Sequence, residues 1–82
     1  MRRFKKNKYL RLNDFHKEIY IVTRYQTVEI DESTKRIIEF ILKNEGYILE
    51  KEILDKFSND FEKKDLRELL SKFIYIGAID ER

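Results

Sequence analysis

Cysteine, proline and tryptophan are absent from the 82 residues, and glycine occurs only at Gly46 and Gly77. Without thiols there are no disulfides, thiolate nucleophiles or cysteine metal sites. Without proline or glycine-rich stretches no linker divides the chain, so one domain is expected. Two glycines so far apart also exclude the Walker loop and the dinucleotide fingerprint, which need several glycines close together. His16 is the only histidine, and it reads as a solvated turn residue, since zinc usually takes several His or Cys ligands. No apolar run approaches the roughly 20 residues that span a bilayer, and no signal-peptide core follows the basic start. A soluble, cytoplasmic protein with no membrane partner is expected.

No serine stands in a nucleophile motif, so no catalytic residue, metal or cofactor is expected. A chain this short buries only about 60% of its unfolded surface, which leaves space for one core and one binding face rather than an enzyme pocket. The expectation is therefore a non-enzyme whose function lies in its surfaces. With 41% hydrophobic residues, six Phe and five Tyr, the chain can fold despite its 41% charged residues.

The net charge of +2 conceals an asymmetry. Arg2, Arg3, Lys5, Lys6 and Lys8 supply five of the 18 basic residues; without them, 13 face 16 acidic ones, a net of −3. Residues 1–8 read as a basic, flexible, solvated tail, and 9–82 as a single folded domain. A body of net −3 is a poor nucleic-acid binder unless its charges segregate sharply, so nucleic acid is not an expected partner. Tyr20, Tyr25, Tyr47 and Tyr75 lack the spacing of a base-stacking platform and read as core or rim packing.

Tyr9-Leu10-Arg11-Leu12 alternates at period two, Ile19 to Thr23 is apolar on both faces as in a central strand, and Thr27-Val28-Glu29-Ile30 alternates again. Asn13 and Asp14 are placed to turn the chain after the first strand, and Arg24 to Gln26 after the second. Asp31 or Ser33 can cap a helix bearing Ile37, Ile38, Phe40, Ile41 and Leu42, whose apolar arc suits packing on two sides. Gly46 is placed to end it in the left-handed conformation. A second helix is expected over about Leu49 to Phe57, and a third, capped by Asp60, over about Phe61 to Ile74. The fold class is α+β: a small winged-helix-like domain, a three-stranded antiparallel sheet followed by three helices.

Two features of this layout suggest peptide capture. On the third helix, Leu66, Leu69, Phe73 and Ile76 form a core stripe, while Lys63, Arg67, Leu70 and Ile74 fall within about 40° of one another. That second stripe sets two cations and two aliphatics beside the core, which suits an apolar peptide with acidic residues. Equally, Leu70 and Ile74 could widen the core face while Lys63 and Arg67 snorkel to water. The short strand Thr27 to Ile30 can lie at the sheet edge and accept an added strand, although Glu29 could instead protect that edge.

The strand Thr27-Val28-Glu29-Ile30 leads into Ile37-Ile38-Glu39-Phe40-Ile41-Leu42. Asn44 to Ile53, Asp65-Leu66-Arg67-Glu68-Leu69-Leu70 and a closing Ile76-Gly77-Ala78-Ile79 follow. Over about Tyr9 to Arg82 this order resembles the leader-peptide-binding modules called RiPP recognition elements. These are typified by the pyrroloquinoline quinone peptide chaperone, and a similar clamp opens microcin C-type adenylating enzymes. Glu45-Gly46 departs from the Asp-Gly of many members, and Met1 to Lys8 has no counterpart in the family. The resemblance implies a precursor's leader peptide as partner, added as an antiparallel strand to Thr27, Val28, Glu29 and Ile30. It implies Lys63, Arg67, Leu70 and Ile74 on the helix side, and a separate maturation enzyme as second partner.

A winged-helix DNA-binding regulator is the alternative. Against it, Glu62, Asp65 and Glu68 intersperse the third helix's Lys63, Lys64, Arg67 and Lys72, and that helix carries no Asn or Gln for adenine readout.

Overall fold

A computed structural model describes residues 2–15 and 18–82; the expectations for Met1 and His16 lie outside them. The described residues form an α+β fold with three helices and two three-stranded antiparallel sheets. In order these are β1 (Arg3–Lys6), β2 (Arg11–Phe15), β3 (Glu18–Val22), β4 (Thr27–Ile30), α1 (Glu32–Lys43), β5 (Ile48–Leu49), α2 (Glu50–Lys56), α3 (Lys63–Tyr75) and β6 (Ile79–Glu81). No helix among the described residues is long and apolar enough to cross a membrane.

One sheet has the order β2-β3-β4, with Ile21 opposite Val28 and Ile19 opposite Ile30. Its core face carries the buried Ile19 and Ile21 and the half-buried Val28 and Ile30, while Thr27 and Glu29 are exposed, as alternation requires. The β3–β4 turn is organised by the buried Thr23. Its hydroxyl accepts the Tyr25 and Gln26 amides, each at 3.2 Å, and donates to the Gln26 carbonyl at 3.1 Å. Asn13 and Asp14 do not turn the chain; they continue β2, paired with Tyr20 and Ile19. Tyr9 instead belongs to the preceding turn, where its amide donates to Asn7 Oδ1 at 2.9 Å.

The second sheet overturns the expectation of a flexible basic tail. β1 is its central strand, with Phe4 opposite Ile48 of β5 and Lys6 opposite Ile79 of β6. Phe4 is 1% exposed and joins the main core with Ile21, Ile37, Ile38, Ile41, Ile53, Leu66, Leu70 and Ile79. The charged neighbours are used as well. Lys6 Nζ donates to the Leu42 carbonyl at the end of α1, at 2.8 Å, where a cation offsets the negative helix terminus. Arg2 pairs with Glu81 at 2.8 Å and with Glu50 at 3.1 Å, tying β6 to the start of α2. The strands therefore do not all precede the helices, because β5 and β6 interleave with them.

Asp31 caps α1 by accepting the Thr34 amide at 2.8 Å. Hydrogen bonding from Thr34, side chain first and amide second, holds the Asp31 carboxyl below its ordinary value of 3.8. A lowered folded-state value means this contribution is full above about pH 4 and is lost as pH falls through the folded value. Asp31→Ala is expected to cost about 1 kcal/mol in urea unfolding at pH 7 and much less at pH 2.5. An equal loss at both pH values would contradict a charged cap.

The glycine expectation is also corrected. α1 ends at Asn44 in extended conformation, and Gly46 does not take the left-handed conformation. Gly77 does, at φ 82°. There α3 closes in a Schellman arrangement, with the Ala78 amide on the Phe73 carbonyl at 2.8 Å and the Gly77 amide on the Ile74 carbonyl at 3.1 Å. A Cβ on Gly77 would stand 2.8 Å from Cδ2 of Tyr25, so the β3–β4 turn rests directly on this backbone. Gly77→Ala is expected to lower stability by about 1–2 kcal/mol from the left-handed strain alone. Gly46→Ala, with open space around it, should be neutral within about 0.5 kcal/mol in the same unfolding assay. Similar losses for both would count against this account. Neither does Asp60 cap α3, whose N-cap is Glu62 without a side-chain bond.

Candidate functional site

β4 is an edge strand, since the sheet order ends on it. The Thr23 amide donates to the Gln26 carbonyl at 2.9 Å, which makes that pair hydrogen-bonded. Antiparallel pairs alternate, so Val22–Thr27 and Tyr20–Glu29 are non-hydrogen-bonded pairs. Thr27 and Glu29 therefore direct their main-chain N–H and C=O groups away from β3, toward the outer edge. Their side chains lie on the exposed face, while Val28 and Ile30 face inward.

Beside β4 lies a cavity of about 330 Å³. One wall is Val28, Glu29 and Ile30, backed by Ile21 of β3 and by Asp31 and Thr34 at the start of α1; the other is the last two turns of α3, through Leu69, Lys72, Phe73, Tyr75 and Ile76. The lining is mainly aliphatic and aromatic. Glu29 and Asp31 supply carboxylates on the sheet side and Lys72 an ammonium on the helix side, so the mouth carries both signs. Tyr75, 86% exposed, stands at the rim. An extended segment laid against β4 would find two outward-directed main-chain pairs on one side and an apolar trough on the other.

The expected strand residues and the expected helix residues fare differently. Val28, Glu29 and Ile30 line the cavity, and Thr27 presents its backbone at the same edge. The helix stripe does not meet them. Leu70 is fully buried in the core, and Ile74 packs partly buried against it. Arg67 turns toward α2 and pairs with Glu50 at 3.3 Å. Lys63, exposed at the start of α3, borders a separate concavity over the α2–α3 turn. The physical reason is the rotation of α3: its deepest positions are Leu66, Leu70 and Phe73, not Leu66, Leu69, Phe73 and Ile76. Leu69 and Ile76 are consequently left half-buried, at the cavity. Lys72 and Tyr75, missed in the sequence, lie three residues after Leu69 and Lys72 respectively, and that spacing keeps successive positions on one side of the helix.

No family model matches the chain, and comparison with curated proteins and with solved structures found no match.

Proposed function

We propose that this protein captures the leader of a ribosomally made precursor peptide as a strand added to β4, and presents it in the cytoplasm to a separate modifying enzyme. In this reading β2-β3-β4 and the helices act as a winged-helix-like clamp without catalysis of its own. The observation that carries it is the juxtaposition of the open β4 edge with the apolar trough against α3. Main-chain bonds would give affinity, and the trough would select side chains, the usual division in strand addition. The sequence resemblance to leader-binding modules points to the same partner. Delivery needs only a raised local concentration of substrate at the enzyme, so moderate affinity suffices and release stays fast. The helix wall of the clamp is Leu69, Lys72, Phe73 and Ile76, in place of Lys63, Arg67, Leu70 and Ile74.

The test is selection of displayed random 15-residue peptides on the immobilised protein, followed by amide shift mapping with the strongest binder. Shifts gathered on Thr27 to Ile30 and Leu69 to Ile76 are expected. Failure to enrich any sequence, or shifts that avoid β4, would overturn the reading.

A further inference from the structure

The segment read as a solvated tail brings Arg3 and Lys5 onto the outward face of the β5-β1-β6 sheet and Lys8 to the turn after it, where they meet tyrosine rings. Arg3 Cζ lies 4.8 Å and Lys5 Nζ 5.6 Å from the centroid of the Tyr47 ring. At the following turn Lys8 Nζ lies 5.1 Å and Arg24 Cζ 5.7 Å from the Tyr9 ring. The two clusters are joined through Asn7. Its amide donates to Asp80, which sits opposite Lys5, at 3.4 Å, and its carbonyl oxygen accepts the Tyr9 amide at 2.9 Å. Both rings are about four-tenths exposed.

Arg2, Lys6, Lys35, Arg36, Lys51 and Arg67 join carboxylates, whereas Arg11, Lys43, Lys56, Lys63, Lys64, Lys72 and Arg82 form no ion pair among the described residues. None of Arg3, Lys5, Lys8 or Arg24 forms an ion pair among the described residues. What sets these four apart is their place, gathered around two part-exposed rings, where their charge can attract phosphates. A base stacking on either ring would take the place of a cation now over it, and that cation would then lie beside the flanking phosphate. Asp80 on this stretch accepts a hydrogen bond from Asn7, and Glu45 stands beside Lys6.

We propose that this face binds single-stranded nucleic acid, stacking bases on Tyr47 and Tyr9 and neutralising phosphates with Arg3, Lys5, Lys8 and Arg24. An acidic protein would be drawn by the charge but would leave the two ring faces without a role. A lipid surface would find little aliphatic surface to bury, since among the described residues Leu49 is the one exposed large aliphatic of this sheet. The proposal shares no residue with the β4 cavity and does not rest on the peptide reading.

The test is fluorescence anisotropy of a labelled 12-residue oligothymidylate titrated with the full chain. Four phosphate contacts imply about a 50-fold loss of affinity between 50 and 200 mM salt. Tyr47→Leu and Tyr9→Leu, which keep apolar bulk, should each weaken binding about 5-fold or more. Lys64→Glu, on exposed α3, should change it less than 2-fold. Circular dichroism confirms that each variant is folded. No binding at 50 mM salt would overturn the proposal. So would equal binding of a 12-base-pair duplex, equal competition by polyglutamate of matched charge, or leucine variants that bind as the parent does.

Discussion

Phe4→Ala is expected to lower the unfolding free energy by about 3–5 kcal/mol, a large part of the 5–15 kcal/mol that domains of this kind possess. The ring is 1% exposed, so its removal leaves a cavity among Ile48, Ile79 and the α1 isoleucines rather than a solvated dent. The strand that carries it also has partners on both sides, and β5 and β6, two and three residues long, have no other strand to pair with among the described residues. Loosening β1 therefore releases the approach to α2 and the close of α3 together. Urea unfolding followed by circular dichroism measures the effect. A loss below about 1 kcal/mol would mean that residues 3–6 are peripheral after all.

Glu29→Pro is expected to reduce peptide capture about 10- to 100-fold while leaving the domain folded. The Glu29 amide faces the outer edge, so proline removes a donor that the β3–β4 ladder does not use, a position where edge strands tolerate it. An incoming strand would lose one main-chain bond and bury an unanswered carbonyl, about 1–3 kcal/mol together. Titration calorimetry with a display-selected peptide reads the loss. Val28, which lines the trough, provides a second handle: Val28→Ala should weaken the same peptide less, about 3- to 10-fold, since it removes apolar contact and no hydrogen bond. If Glu29→Pro binds as the parent does, the peptide does not add to this edge.

How much was legible in the sequence follows the range of the contacts. The β3 and β4 strands, α1 and its Asp31 cap come from alternation, helical period and a local side-chain bond, all contained in a short window. β1 does not. Phe4 is a single apolar residue among cations, and what makes Arg3–Lys6 a strand is pairing with Ile48 and Ile79, far along the chain. A one-dimensional pattern holds no record of such partners, so charge alone decided the reading and pointed to a tail. The rotation of α3 was hidden for a different reason: Leu69 and Leu70 are both leucine, and only packing into the shared core decides which one is buried. The contact of Tyr47 with Arg3 and Lys5 was hidden in the same way, because it forms across a sheet and not along the chain. Gly77 over Gly46 was decided by the Schellman bonds of α3 and by Tyr25 lying against it.

The central claim is that β4 is a receiving edge. Amide hydrogen exchange measured by NMR, with and without a saturating display-selected peptide, tests it most directly. Thr27 and Glu29 should exchange at least 10-fold more slowly in the complex, because their outward N–H groups become ladder bonds, while Arg3–Lys6 should not change. Unchanged exchange at Thr27 and Glu29, with peptide-induced protection elsewhere, would contradict strand addition.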